Sequence, residues 1–146
     1  MSPEAPIRNR AEDVLPRVQA LALHRHLGIG PIHAQHGHAH FEITVGEALL
    51  NPAGALHGGV IYSLCDVACY CALLTLLAPN EEAATHDLQV SLLRGASAGQ
   101  VLRFEGEVLK RGRQLAFGSA QVHADSKLLA RAQVTKSIIP LPAGAG

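Results

Sequence analysis

Asn51-Pro-Ala-Gly-Ala-Leu-His57-Gly58-Gly59-Val-Ile-Tyr-Ser-Leu-Cys-Asp66 is a loop that runs into two glycines and then into an apolar helix carrying one carboxylate. From Gly58 to Ala78 no other residue has a formal charge, so the segment reads as a helix buried on most of its faces. An ionised Asp in such surroundings is costly unless it is paired, hydrated or used. Asp66 is therefore the leading candidate for chemistry, weighed against a hydrogen-bonded structural carboxylate. Gly58 and Gly59 stand at the helix start, where glycine lets a ligand approach unpaired N–H groups and the helix dipole favours an oxyanion. Their plainer reading is close packing of helix on sheet.

Outward from this helix the period changes. His33 to Gly46 alternates, with His36, His38, His40, Glu42 and Thr44 on one face and Gly37, Ala39, Phe41, Ile43 and Val45 on the other, as in a half-buried strand. The three histidines lie roughly 6 to 7 Å apart per step on a strand face, too far to meet one ion, so they read as a solvated face. Before this strand, Pro16 suits the first turn of a short packing helix bearing Val18, Leu21 and Ala22. After the central helix, Ala84–Leu93, Val101–Lys110, Leu115–Ala124 and Lys127–Ile139 alternate with short turns between them and predict a four-stranded meander. Leu128, Ala130, Ala132 and Val134 face inward on the last of these.

The chain of 146 residues, 48% hydrophobic and 16% charged, suits one compact domain with some apolar surface covered by other copies. We expect a tail over residues 1–14, a domain over 15–140 and a second tail over 141–146. Formal charge is zero and no basic run is interleaved with aromatics, which argues against nucleic acid as a partner. The first residues lack the apolar stretch of a secretory signal, so a cytoplasmic address is expected, and Asp66 argues against the helix as a membrane span. Cys65, Cys69 and Cys71 all fall in the apolar helix without a CxxC pair; they read as small buried hydrophobes, with no metal and no disulfide.

The order of elements, joined to Asn51-x5-His57-Gly58-Gly59-x6-Asp66, resembles the hotdog-fold acyl-CoA thioesterases, in the branch of the phenylacetate-pathway (PaaI-type) and 4-hydroxybenzoyl-CoA thioesterases. The resemblance spans about residues 30 to 139 and includes Thr85-His-Asp-Leu-Gln-Val-Ser-Leu-Leu-Arg94 and Gly106-Glu-Val-Leu-Lys-Arg-Gly-Arg-Gln-Leu-Ala-Phe117. It implies an α+β hotdog fold, a curved antiparallel sheet of about five or six strands wrapped around one long central helix. It also implies that Asp66 is general base or nucleophile, that the Gly58 backbone polarises the thioester carbonyl, and that Asn51 helps place water or thioester. His57 would support the loop and Thr85 assist the carboxylate or water. Gly95 departs from the pattern, since many relatives have proline after the arginine.

The expected activity is hydrolysis of an acyl-CoA, aromatic such as phenylacetyl- or hydroxybenzoyl-CoA or medium-chain, without metal or other cofactor. A silent acyl-CoA binding protein and a hydroxyacyl thioester dehydratase are the alternatives. Gly58 and Asp66 are eight residues apart, roughly 12 Å along a helix, so one carbonyl carbon cannot be served by both within one chain. A site shared between subunits follows, with Asn51, His57 and Gly58 from one and Asp66 and Thr85 from the other, in a homodimer or a dimer of dimers. Coenzyme A carries phosphates, and Lys110, Arg111, Arg113, Arg94 and Lys136 are the candidate basic rim, with Gly59 beside the substrate.

Overall fold

The computed structural model describes residues 8–142. Helices α1 (Arg10–Ala20) and α2 (Ala22–His26) precede strands β1 (His33–Gln35) and β2 (His38–Thr44). A single 3-10 turn, Glu47–Leu49, then leads into the long helix α3 (Gly58–Leu74). Four strands follow: β3 (Glu81–Leu92), β4 (Val101–Arg111), β5 (Leu115–Ala124) and β6 (Lys127–Pro140). Among the described residues no helix is long and apolar enough to cross a membrane.

Helix α1 starts earlier than Pro16 predicts. Asn9 caps it by accepting from the Glu12 N–H, Glu12 and Asp13 fill the first turn, and Pro16 lies inside the helix. Ala11 and Val14 are buried, so residues 10–14 are packed helix and not tail; residues 1–7 and 143–146 of the expected tails lie outside the described residues. The single strand expected over 33–46 is a hairpin. His36 and Gly37 both have positive φ, 51° and 77°, which turns the chain in two residues while the alternation of side chains runs on through the turn.

All strand pairs are antiparallel, in the order β1-β2-β4-β5-β6-β3. The meander is thus β4-β5-β6 only: β3 pairs with β6 at the far edge, and the segment between Leu92 and Val101 carries the chain back across to β4. The expectation of a sheet wrapped around the helix is corrected by the same order. β1 and β3 are opposite edges that do not pair with each other, so the sheet is open, and α3 lies along one face against β2, β4, β5 and β3. The other face is polar, with His38, Arg103, Glu105 and Glu107 turned away from α3. Among the described residues only one side of the sheet has an apolar partner, and closure would require the three-residue β1 to meet the twelve-residue β3.

Gly106 sets how closely α3 approaches. A Cβ there would stand 2.3 Å from the Ala68 carbonyl oxygen and 2.4 Å from its carbon, so helix backbone rests directly on β4. Around this contact Leu64, Cys65, Ala68, Phe41, Phe104 and Val122 form the core, with the two phenylalanine rings stacked at 5.4 Å. Cys65, Cys69 and Cys71 are buried there, and burial pushes each thiol up to about 12, which keeps them protonated and inert.

Candidate active site

One stripe of α3 escapes the core: Gly59, Tyr62, Ser63, Asp66 and Tyr70 lie at helical spacing, and of these Asp66 and Tyr70 are bonded to side chains of β3, the strand that ends the sheet. Two polar centres lie along it.

The first is the start of the helix. His57 is its N-cap, and its Nδ1 accepts from the Gly59 N–H at 2.9 Å; the ring therefore carries its proton on Nε2 and serves as a cap. The Val60 N–H returns to the His57 carbonyl at 3.0 Å. Among the described residues this leaves the Gly58 N–H without a hydrogen-bond acceptor. Asn51 builds the loop before it, its Oδ1 accepting from Ala53 N–H at 2.9 Å and Ala55 N–H at 3.1 Å. Asn51, Gly58, Ile61, Leu92 and Arg94 border a cleft of about 300 Å³ that opens beside this turn.

The second centre is Asp66. Its Oδ1 accepts from Thr85 Oγ1 and from Lys136 Nζ, each at 2.7 Å, and Lys136 Nζ also donates to Thr85 Oγ1 at 2.7 Å. Among the described residues Oδ2 has no partner, and the Asp66 side chain is 31% exposed. Thr85 and Lys136 stand directly opposite each other on β3 and β6, which puts both side chains on the α3 side of the sheet. The register slips between Thr85 and Asp87, so a bulge at His86 sits beside the site.

A further ion cluster lies one helical turn beyond. Tyr70 Oη donates to Glu82 Oε1 at 2.7 Å, and Arg10 Nη2 of α1 donates to Glu82 Oε2 at 2.8 Å. Burial opposes ionisation of Glu82, but hydrogen bonds from Arg10, the Ala83 N–H and Tyr70 outweigh it and hold the carboxyl below the usual range. Burial, and then the bond to Glu82, push the Tyr70 hydroxyl up. Composition carries no signal for this cluster, because its members come from three distant parts of the chain.

Two of the basic candidates are engaged by carboxylates within the chain. Lys136 is 3% exposed, and its ammonium is turned inward to Asp66 and Thr85. The alternation Ala130, Ala132, Val134 already points inward, and one more step places Lys136 inside. Arg111 pairs with Glu81 across the sheet end, which ties the last residue of β4 to the first of β3. Lys110 and Arg113 are exposed at the β4–β5 hairpin, and Arg94 is exposed at the cleft beside Gly58. Among the described residues no group of three or more His, Cys, Asp or Glu side chains is placed to hold a metal ion.

The sequence profile described as the thioesterase superfamily matches residues 53–136, which include the cap, both glycines, Asp66, Thr85 and Lys136. The chain belongs to the thioesterase superfamily. Acyl-coenzyme A thioesterase 13 of Homo sapiens is 31% identical over 99 residues, covering 66% of this chain and 70% of that protein. A phenylacetic acid degradation-related protein of Ralstonia eutropha superposes with a TM-score of 0.77 at 28% identity, over 88% of this chain and 99% of that one. The Escherichia coli PaaI protein, from the phenylacetic acid degradation operon, shares the fold at a TM-score of 0.80 and 23% identity, over 91% and 97% of the two chains. This thioesterase is a hydrolase of the hotdog class, in its PaaI and 4-hydroxybenzoyl-CoA branch.

Proposed function

We propose that the protein hydrolyses an acyl-CoA thioester, with an aromatic or medium-chain acyl group, at a site completed by a second copy of the chain. The observation that carries this reading is the state of the Asp66 carboxylate: one oxygen is held by two donors and the other is free at the edge of the sheet. Oδ2 takes a proton from water as the water oxygen attacks the thioester carbon, or attacks that carbon itself to form a mixed anhydride that water then opens. Either way the carbonyl oxygen becomes an oxyanion. The unpartnered Gly58 N–H, at the positive end of α3, suits it. The proton that water gives up ends on the departing CoA thiolate, through Asp66 in the first route and on opening of the anhydride in the second, and the products are the free acid and CoA.

Gly58 and Asp66 are roughly 12 Å apart along α3, so the two functions meet only if the partner's Gly58 faces Asp66. The twelve-residue edge of β3 supports this. Among the described residues its outer backbone groups have no strand beside them, an invitation to pair with the same edge of another copy. Such pairing brings Leu92 and the Gly58 turn of one chain toward Thr85 and Asp66 of the other, in a homodimer or a dimer of dimers. Thr85 steadies the carboxylate, Asn51 and His57 hold the loop that presents Gly58, and Gly59 lies beside the substrate. Arg94 and the hairpin residues Lys110 and Arg113 are the cations open to CoA phosphates. The domain runs over residues 10–140, and the cytoplasmic address is part of this reading.

Release of free thiol from a panel of aromatic and aliphatic acyl-CoAs tests it. The unaltered protein should turn over at least one class. Asp66→Asn should lower kcat by about 10²- to 10⁴-fold, with the oligomer intact and acyl-CoA still bound. Binding without release by the unaltered protein would make it an acyl-CoA binding module instead.

A further inference from the structure

We propose that Lys136 is a positioning residue of the hydrolytic site, a buried cation that aims the Asp66 carboxylate; this rests on the reading of Asp66 as the working group. Lys136 sits on β6 in line with Ala132 and Val134, at a position the core would fill with an apolar side chain. Burying an ammonium there is costly, and replacing a whole buried ion pair by apolar groups is often neutral or stabilising, so the pair is weak evidence of a purely structural role.

Its surroundings do account for it. Nζ donates to Asp66 Oδ1 and Thr85 Oγ1 and lies 5.4 Å from the centroid of the Tyr70 ring. Tyr70 is itself held by Glu82, and Glu82 by Arg10. The ammonium is thereby caged from α3, β3 and the aromatic face. Because both donors, Lys136 and Thr85, use the same carboxylate oxygen, Asp66 is locked in one orientation and Oδ2 is left as the only oxygen open to a reacting water or thioester. A lone threonine donor would leave the plane of the carboxylate freer to swing about its Cβ–Cγ bond. The second donor, anchored 70 residues away on another strand, restrains that swing.

The test compares Asp66→Asn, Lys136→Met and Lys136→Ala in the full chain, by thiol release, thermal melting and oligomer size. Lys136→Met should lower kcat about 10- to 100-fold with KM changed less than about threefold, while the chain stays folded and oligomeric at the assay temperature even though loss of the cation beside Asp66 lowers the melting temperature. Lys136→Ala should regain part of its kcat in ethylammonium chloride and none in potassium chloride of equal strength, since the added cation refills the vacated site. Parent kcat in Lys136→Met, a loss confined to KM, or unfolding of both lysine variants would overturn the positioning role. If Asp66→Asn is inactive while Lys136→Met matches the parent, this inference falls and the active-site reading stands. Parent activity in Asp66→Asn would remove the active-site reading itself.

Discussion

At the first turn of α3 the working polarity belongs to the backbone, and its organisers are neighbours in sequence: His57 caps Gly59 two residues on, and Asn51 binds its own loop at Ala53 and Ala55. Around Asp66 the polarity belongs to side chains, and the partners lie 19 and 70 residues away on two strands. The first centre is cheap to assemble, because a helix start always presents unpaired N–H groups. The second places a carboxylate and an ammonium next to a core and holds them with a network that reaches α1 through Glu82 and Arg10. A donor for developing charge needs only a fixed dipole and open space; a carboxylate that must handle a proton needs a fixed orientation as well.

Removing each centre separately sharpens the contrast. Asp66→Asn, with its loss of about 10²- to 10⁴-fold in kcat, is the larger lesion. Gly58→Pro probes the other centre, because proline at the first helical position keeps the helix and deletes the N–H, while its Cβ, which would stand 3.0 Å from Leu92 Cδ1, has only that flexible side-chain end to displace. His57 already has φ −62° and ψ 129°, the extended geometry that a following proline requires. We expect kcat to fall by about 10²- to 10³-fold with little change in melting temperature. A Gly58→Pro protein with parent kcat would break the comparison, since the backbone end would then do no chemistry.

Gly106→Ala reaches both centres at once. Its Cβ would meet the Ala68 carbonyl at 2.3 Å, where backbone and not a flexible side-chain end is in the way, so α3 must lift from β4. We expect a loss of about 1 to 3 kcal/mol in chemical denaturation, with activity falling because the helix carries both centres. The smallest effect is acid sensitivity confined to the side-chain centre. The folded Glu82 carboxyl is held below its ordinary value of 4.5, so its contribution to stability is complete above that value and fades as pH falls through the folded one. Glu82→Gln should therefore melt below the parent near neutral pH, and the gap should narrow under acid conditions below about pH 4.5. A gap that stays constant with pH would show that Glu82 contributes no charge-dependent stability.

The same contrast governs what the sequence discloses. The helix start and Asp66 are legible because each is a local anomaly: two glycines after a cap, and one charge in an apolar run. The strands are legible through their period, and their bounds differ little from those observed except at β3, which starts three residues earlier than Ala84. The hairpin at His36–Gly37 is hidden because a two-residue turn preserves the alternation on both sides. Pairing of β3 with β6 is hidden because short turns favour sequential neighbours, and nothing local reveals that the 93–100 segment crosses over. Lys136 is misread as a surface cation because its partners are remote, although the inward step of Ala130, Ala132 and Val134 marks its face.

The central claim, a site made by two chains, is tested most directly by complementation. Asp66→Asn and Gly58→Pro chains, each inactive alone, are co-assembled under different tags and the mixed dimers are allowed to form at random. Each mixed dimer then holds one site with both an intact Asp66 and the partner's intact Gly58, and one with neither, so the mixture should recover about a quarter of parent activity. Mixed dimers that form and remain inactive would contradict the account and confine the chemistry to a single chain.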